Sequence, residues 1–107
     1  MTSKNIKDPA FLAFQTAIRE RLGEHLKKII LFGSRARGDD DPESDYDVLL
    51  VVDEVTREIN DAINEVSGSI LCEQSVVFGA IAVSETEFDT RLHNPLLMNV
   101  RREGVVL

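Results

Sequence analysis

Apolar positions change their period twice along the first half of the chain. Phe11, Phe14, Ile18 and Leu22 fall three or four apart over residues 9–22, which predicts a helix with one buried face, opened by Pro9 and closed by Gly23. The spacing then collapses into KIILF, residues 28–32, a continuous apolar run halted by Gly33 that reads as a strand buried on both faces. YDVLLVV, residues 46–52, reads as a second strand ending near Asp53. From Glu54 to Leu71 the helical period returns in Val55, Ile59, Ala62, Ile63, Val66 and Ile70, with an early break expected at Ser67-Gly68-Ser69. QSVVFGAIAVS, residues 74–84, is the third strand, in which Gly79 implies a bulge or a close backbone approach. Ser84 and Glu87 form a capping-box pattern before a short helix over residues 85–92, and Asn94, Pro95 and Gly104 bracket a last one. This alternation predicts a single small α/β domain over residues 1–107, with a largely buried sheet.

Composition narrows the setting. A chain of 107 residues has room for one core, and 43% apolar with 29% charged residues is ordinary for a globular protein. No run approaches the roughly 18 apolar residues of a membrane span, and the polar N-terminus lacks a signal-peptide core, so the cytoplasm is the expected location with no membrane partner. Twelve basic against nineteen acidic residues, a net charge of −7, argue against an extended nucleic-acid face while leaving room for one nucleotide with a divalent metal. Cys72 has no neighbouring Cys or His at metal-ligand spacing and is expected to be a buried small hydrophobe. His25 and His93 are given no catalytic role, and Arg101 and Arg102 are read as favouring the dipole of the last helix.

The acids are concentrated between the first two strands. Asp39, Asp40, Asp41 and Glu43 read as solvated loop, but Asp45 and Asp47 enter the strand itself. Strand alternation puts Asp45 and Asp47 on one face, about 7 Å apart along the chain, and Tyr46 on the other. Two such carboxylates repel unless a cation lies between them, and Mg²⁺ takes carboxylate oxygens together with substrate phosphates. Gly33 lets the backbone approach a phosphate, Ser34 adds a hydroxyl donor, and Arg35 or Arg37 can offer a forked guanidinium. Phosphate donors beside a metal-binding pair are the equipment of a phosphoryl or nucleotidyl transferase. The G-x-G-x-x-G and G-x-x-x-x-G-K-[ST] motifs are both missing, so neither a dinucleotide fold nor a P-loop is supported.

Gly33-Ser34, ten intervening residues and then Asp45-Tyr46-Asp47, framed by LFGSRARG and SDYDVLLVV, resemble the signature of the DNA polymerase β-type nucleotidyltransferase superfamily. The short length resembles its minimal nucleotidyltransferases, the MNT group. The resemblance implies a mixed sheet flanked by helices, Gly33 and Ser34 holding the triphosphate of ATP, and Asp45 and Asp47 holding Mg²⁺. It also implies an all-helical HEPN partner to which the chain is the antitoxin, in some cases by moving AMP from ATP to a tyrosine of that partner. The superfamily carries a third acid on its third strand; residues 74–84 contain none, and Glu73 and Glu85 are the nearest substitutes. Three readings follow: an adenylyltransferase acting on a protein, a nucleotide-binding module that silences its partner by complex formation, and a free-standing transferase for a small molecule.

Overall fold

In the computed structural model, which describes residues 9–33, 46–91 and 94–107, the first apolar stripe forms α1 (Pro9–Leu22). Phe11, Phe14, Ile18 and Leu22 are all buried, as their spacing requires. Gly23, at φ +54°, opens a short 3₁₀ turn (Gly23–His25) that leads into β1 (Leu26–Phe32). β1 starts two residues before the apolar run because Leu26 pairs with Val52, across a register shift between Leu26 and Lys28. β2 (Tyr46–Val52) has the bounds its pattern predicts.

The following helix, α2 (Arg57–Gln74), is displaced toward the C-terminus. Thr56 caps it by accepting the Ile59 N–H at 3.2 Å. Ser67-Gly68-Ser69 does not break it, because Val66 and Ile70 are buried on either side and their packing exceeds the roughly 1 kcal/mol propensity cost of one glycine. The helix therefore runs to Gln74, and β3 (Phe78–Ser84) begins later than the apolar run suggests. Ser84 caps α3 (Glu85–Thr90) by accepting the Glu87 N–H at 3.1 Å. Asn94 caps α4 (Pro95–Glu103), whose last turn leads into β4 (Val105–Val106), two residues that no periodicity announces.

The sheet order is β3-β2-β1-β4, with β1 antiparallel to β2 and β4, and β2 parallel to β3 through the α2 crossover. This is the mixed sheet with flanking helices that the sequence implies. One face carries Ile29, Leu31, Tyr46, Val48, Leu50 and Val52 under α1 and α2. The other carries Ile30, Phe32, Leu49 and Val51, covered by Phe88 of α3 and by Leu97 and Val100 of α4. Among the described residues no helix is long and apolar enough to cross a membrane.

One expectation needs correction, and two side chains have partners that the sequence does not announce. Cys72 is exposed, since it lies two residues past Ile70, the last buried position of α2, and so roughly 200° round the helix from it. His25 has a partner: its Nδ1–H donates to Asp53 Oδ2 at 2.8 Å, and its carbonyl accepts the Asp53 N–H at 3.0 Å. Arg101 does more than serve a helix dipole: it donates to the Phe88 carbonyl and lies 4.5 Å from the Phe88 ring centroid, with Lys28 Nζ 5.3 Å from the same ring. His93 lies outside the described residues.

The hydrogen bond from His25, joined by the Glu54 N–H, holds the Asp53 carboxyl below its ordinary value of 3.8. A depressed folded-state pKa means that the stabilisation is present above the unfolded value and disappears as pH falls through the folded one. His25→Ala is therefore expected to raise the Asp53 titration midpoint toward its ordinary value, read from the carboxyl carbon shift by NMR. The pair is exposed at 62% and 42%, so the variant should melt close to the parent at neutral pH.

Candidate active site

The end of the sheet at which β1 stops and β2 begins is built around Asp47. Phe32 and Gly79 flank Asp47 in register, and alternation places the aspartate on the Phe32–Leu49 face. Tyr46 points to the other face, where it is fully buried. Its ring stacks on Phe11 at 5.1 Å and on Phe78 at 4.9 Å, and Phe78 stacks in turn on Phe14 at 4.3 Å. Four aromatic rings from α1, β2 and β3 thus brace the backbone that carries Asp47. A carboxylate on so rigid a support keeps its aim.

Glycines lie to either side of that carboxylate. Gly33 has φ +78°, the left-handed region in which a side chain costs roughly 1–2 kcal/mol. A Cβ there would overlap Asp47 Oδ2 and lie 3.3 Å from its Cγ. At Gly79 an added Cβ would meet Asp47 Oδ1 at 3.4 Å, an ordinary contact. Gly79 is therefore a place of close approach, and the unbroken β2–β3 register shows no bulge there. Gly33→Ala is expected to lower any activity that uses Asp47 by at least about ten-fold, since roughly 1–2 kcal/mol of strain is joined by displacement of the carboxylate. Gly79→Ala should cost less than half as much on the logarithmic scale. Parallel turnover assays on the two variants check this.

Of the residues singled out from the sequence, Gly33 and Asp47 are brought together. Ser34, Arg35, Arg37 and Asp45, with the acidic stretch from Asp39 to Glu43, lie outside the described residues. Neither substitute for a third acid reaches Asp47. Glu85 follows Ser84, which pairs with Val52 at the far end of β2, roughly 20 Å away along the strand. Glu73 lines a groove between α1 and α2, on the opposite face of the sheet. The β3 position beside Asp47 is Gly79, followed on the same face by Ile81.

A cavity of about 400 Å³ opens at the other end of the sheet, lined in part by Arg21, His25, Asp53, Glu54 and Glu58. Its arginine and its histidine already face carboxylates, Arg21 on Glu65 at 2.7 Å and His25 on Asp53. A polyphosphate would meet the acids Asp53, Glu54 and Glu58 there.

The model of the nucleotidyltransferase domain family matches residues 14–100. This chain belongs to that family. The transferase is 37% identical over 101 residues, 94% of its length, to a Methanocaldococcus jannaschii protein described as a candidate protein adenylyltransferase, and covers 97% of that protein. Its fold resembles that of a toxin–antitoxin structure with AMP-PNP (TM-score 0.65, 18% identity, 89% of this chain and 69% of the other). It also resembles a chain in the complex of tri-AMPylated Shewanella oneidensis HEPN toxin with its MNT antitoxin (TM-score 0.59, 17% identity, 99% and 71%). A candidate nucleotidyltransferase from Sulfolobus solfataricus is similar at TM-score 0.55 and 22% identity, over 98% of this chain and 84% of the other.

Proposed function

We propose that this transferase moves AMP from ATP to a hydroxyl of a protein partner, and that this modification neutralises a HEPN-type toxin. The observation that carries the reading is the Asp47 carboxylate, braced from below by four aromatic rings and fitted against the positive-φ turn at Gly33. A hard-oxygen ligand at the end of a strand, beside a backbone bend without a side chain, suits a cation-bound triphosphate. Similarity to a candidate protein adenylyltransferase over nearly its whole length supports a protein as acceptor, and the toxin–antitoxin neighbours support its kind.

In this reading Asp45 and Asp47 hold Mg²⁺, which supplies charge neutralisation for the phosphate oxygens. Gly33 and Ser34 hold the β- and γ-phosphates, and Arg35 or Arg37 steadies the departing pyrophosphate. The acceptor oxygen forms a bond to the α-phosphorus as the bond from that phosphorus to the bridging oxygen of the β-phosphate breaks. Pyrophosphate leaves with the electron pair, and the hydroxyl proton passes to solvent. Placement and charge complementarity carry most of the acceleration in such a reaction.

A second reading is favoured by one observation: Gly79 and Ile81 occupy the Asp47 face of β3, where no acid is offered to an attacking hydroxyl. The chain would then bind a nucleotide, turn it over slowly, and silence its helical partner by complex formation. Incubation with Mg²⁺, ATP labelled on the α-phosphate and the product of the neighbouring gene separates the two. Label on that product, lost with Asp47→Asn, is the result expected for catalysis. A tight, unlabelled complex that forms equally well with the variant would establish the second reading.

A further inference from the structure

We propose that the outer edge of β3 is the docking strand for the acceptor protein, which adds an extended segment from outside its helices there and passes its hydroxyl side chain over Gly79 to the Asp47 site. This builds on the adenylylation reading and adds where the acceptor sits.

The two edges of the sheet are treated differently. On one side the edge strand is β4, only two residues long, whose Val105 and Val106 pair with Leu31 and Ile30 of β1, and the Leu107 N–H donates to the Ile29 carbonyl at 2.9 Å. β3 has β2 on its inner side and, among the described residues, no strand on its outer side. Exposed edges are commonly blunted by a charge, a proline or a bulge. FGAIAVS has no charge and no proline, and its register with β2 is continuous from Phe78 to Ser84. An edge of this kind adds strands.

The direction of its backbone groups follows from one bond. The Val77 carbonyl accepts the Tyr46 N–H at 3.1 Å, so residues 77, 79, 81 and 83 turn their N–H and C=O groups toward β2. The amides of Phe78, Ala80 and Ala82 then face outward. Side chains on the Asp47 face of β3 begin with Gly79, which itself puts no side chain between the edge and the carboxylate, and continue with Ile81, 43% exposed. An added strand would lie roughly 10 Å from β2, two inter-strand spacings away. A serine or threonine hydroxyl, one bond beyond Cβ, falls far short of that distance, whereas a tyrosine hydroxyl, at the far end of its ring, covers the greater part of it and leaves the rest to the α-phosphate that it attacks.

Charge selects the occupant further. In a chain of net charge −7 this strip is neutral, and Glu85 follows directly at its end. The complementary segment is apolar at its centre, carries one tyrosine, and is basic toward Glu85. A second copy of this chain would bring like charge to that end.

The test uses the full chain with Mg²⁺, ATP labelled on the α-phosphate, and ten-residue peptides with a central tyrosine, alternating valine and threonine, and terminal lysines. A control set carries N-methyl groups on alternate amides and so cannot join a sheet edge. Label should appear on the tyrosine, at least about ten-fold more on the unmethylated peptides, since several backbone hydrogen bonds of roughly 0.5–1.5 kcal/mol each are at stake. Saturating peptide should also slow hydrogen exchange at Ala80 and Ala82. Equal labelling of both sets, or label without protection of Ala80 and Ala82, would overturn the edge dock and leave the adenylylation reading standing. Label on the neighbouring gene product but on no peptide, with Ala80 and Ala82 unprotected in that complex, would overturn it as well. A chain that binds no ATP by calorimetry would remove the functional reading, and the dock with it.

Discussion

Asp47→Asn is expected to reduce AMP transfer by roughly 10³-fold or more, because charge stabilisation at a metal-assisted phosphoryl centre contributes several kcal/mol and each 1.36 kcal/mol is a decade in rate. The replacement has nearly the same shape, and Asp47 is half-buried at the end of the sheet rather than in the core, so the variant should melt within a few degrees of the parent. The loss is read as initial rate of label transfer at saturating ATP, beside a melting curve on the same preparation. A variant that retains a tenth of parental turnover would contradict the placement of Asp47 at the reacting phosphates. The same substitution should weaken ATP binding in the presence of Mg²⁺ far more than in its absence, since removing one carboxylate charge also lessens repulsion of the bare triphosphate.

Phe78→Ala carries the largest expected effect on stability. Phe78 is nearly buried and stacks on Phe14 at 4.3 Å, Tyr46 at 4.9 Å and Phe11 at 6.1 Å, so it is the centre of the ring cluster. Truncation of a buried phenylalanine costs about 3–5 kcal/mol, against a total of about 5–15 kcal/mol for a domain of this class. The melting temperature should fall by roughly 15–25 °C. Because Phe78 opposes Tyr46 next to the Asp47–Gly79 pair, the remaining folded molecules should also transfer AMP more slowly at low temperature. Phe88→Ala, in the smaller cluster over the other face, removes a similar ring and is a control for general destabilisation.

Much of this architecture could be read directly from residue order. The α1 stripe, the β2 run and the caps at Ser84 and Asn94 are local features, in which spacing and side-chain type determine the outcome within a few residues. The boundaries of α2 could not be read that way. Val55 kept the apolar period going before the helix while Thr56 supplied the cap that starts it, and Gly68 weakened a turn that burial of Val66 and Ile70 restores. β4 is two residues long and exists through its partners on β1, and the His25–Asp53 pair joins positions 28 apart; neither leaves a pattern in a window of sequence. At the site, the meeting of Gly33 with Asp47 followed from a glycine halting one strand and an acid opening the next. That Gly79 is their neighbour followed only from strand register.

Tyr46 is the single tyrosine of a chain without tryptophan, and its ring is sealed within the phenylalanine stack. Its ultraviolet emission is therefore a label-free reporter of order at the Asp47 end of the sheet, readable in the same cuvette as turnover. The burial has a bookkeeping benefit too: in a mixture of enzyme and acceptor, any adenylylated tyrosine recovered by mass spectrometry under native conditions is the acceptor's own.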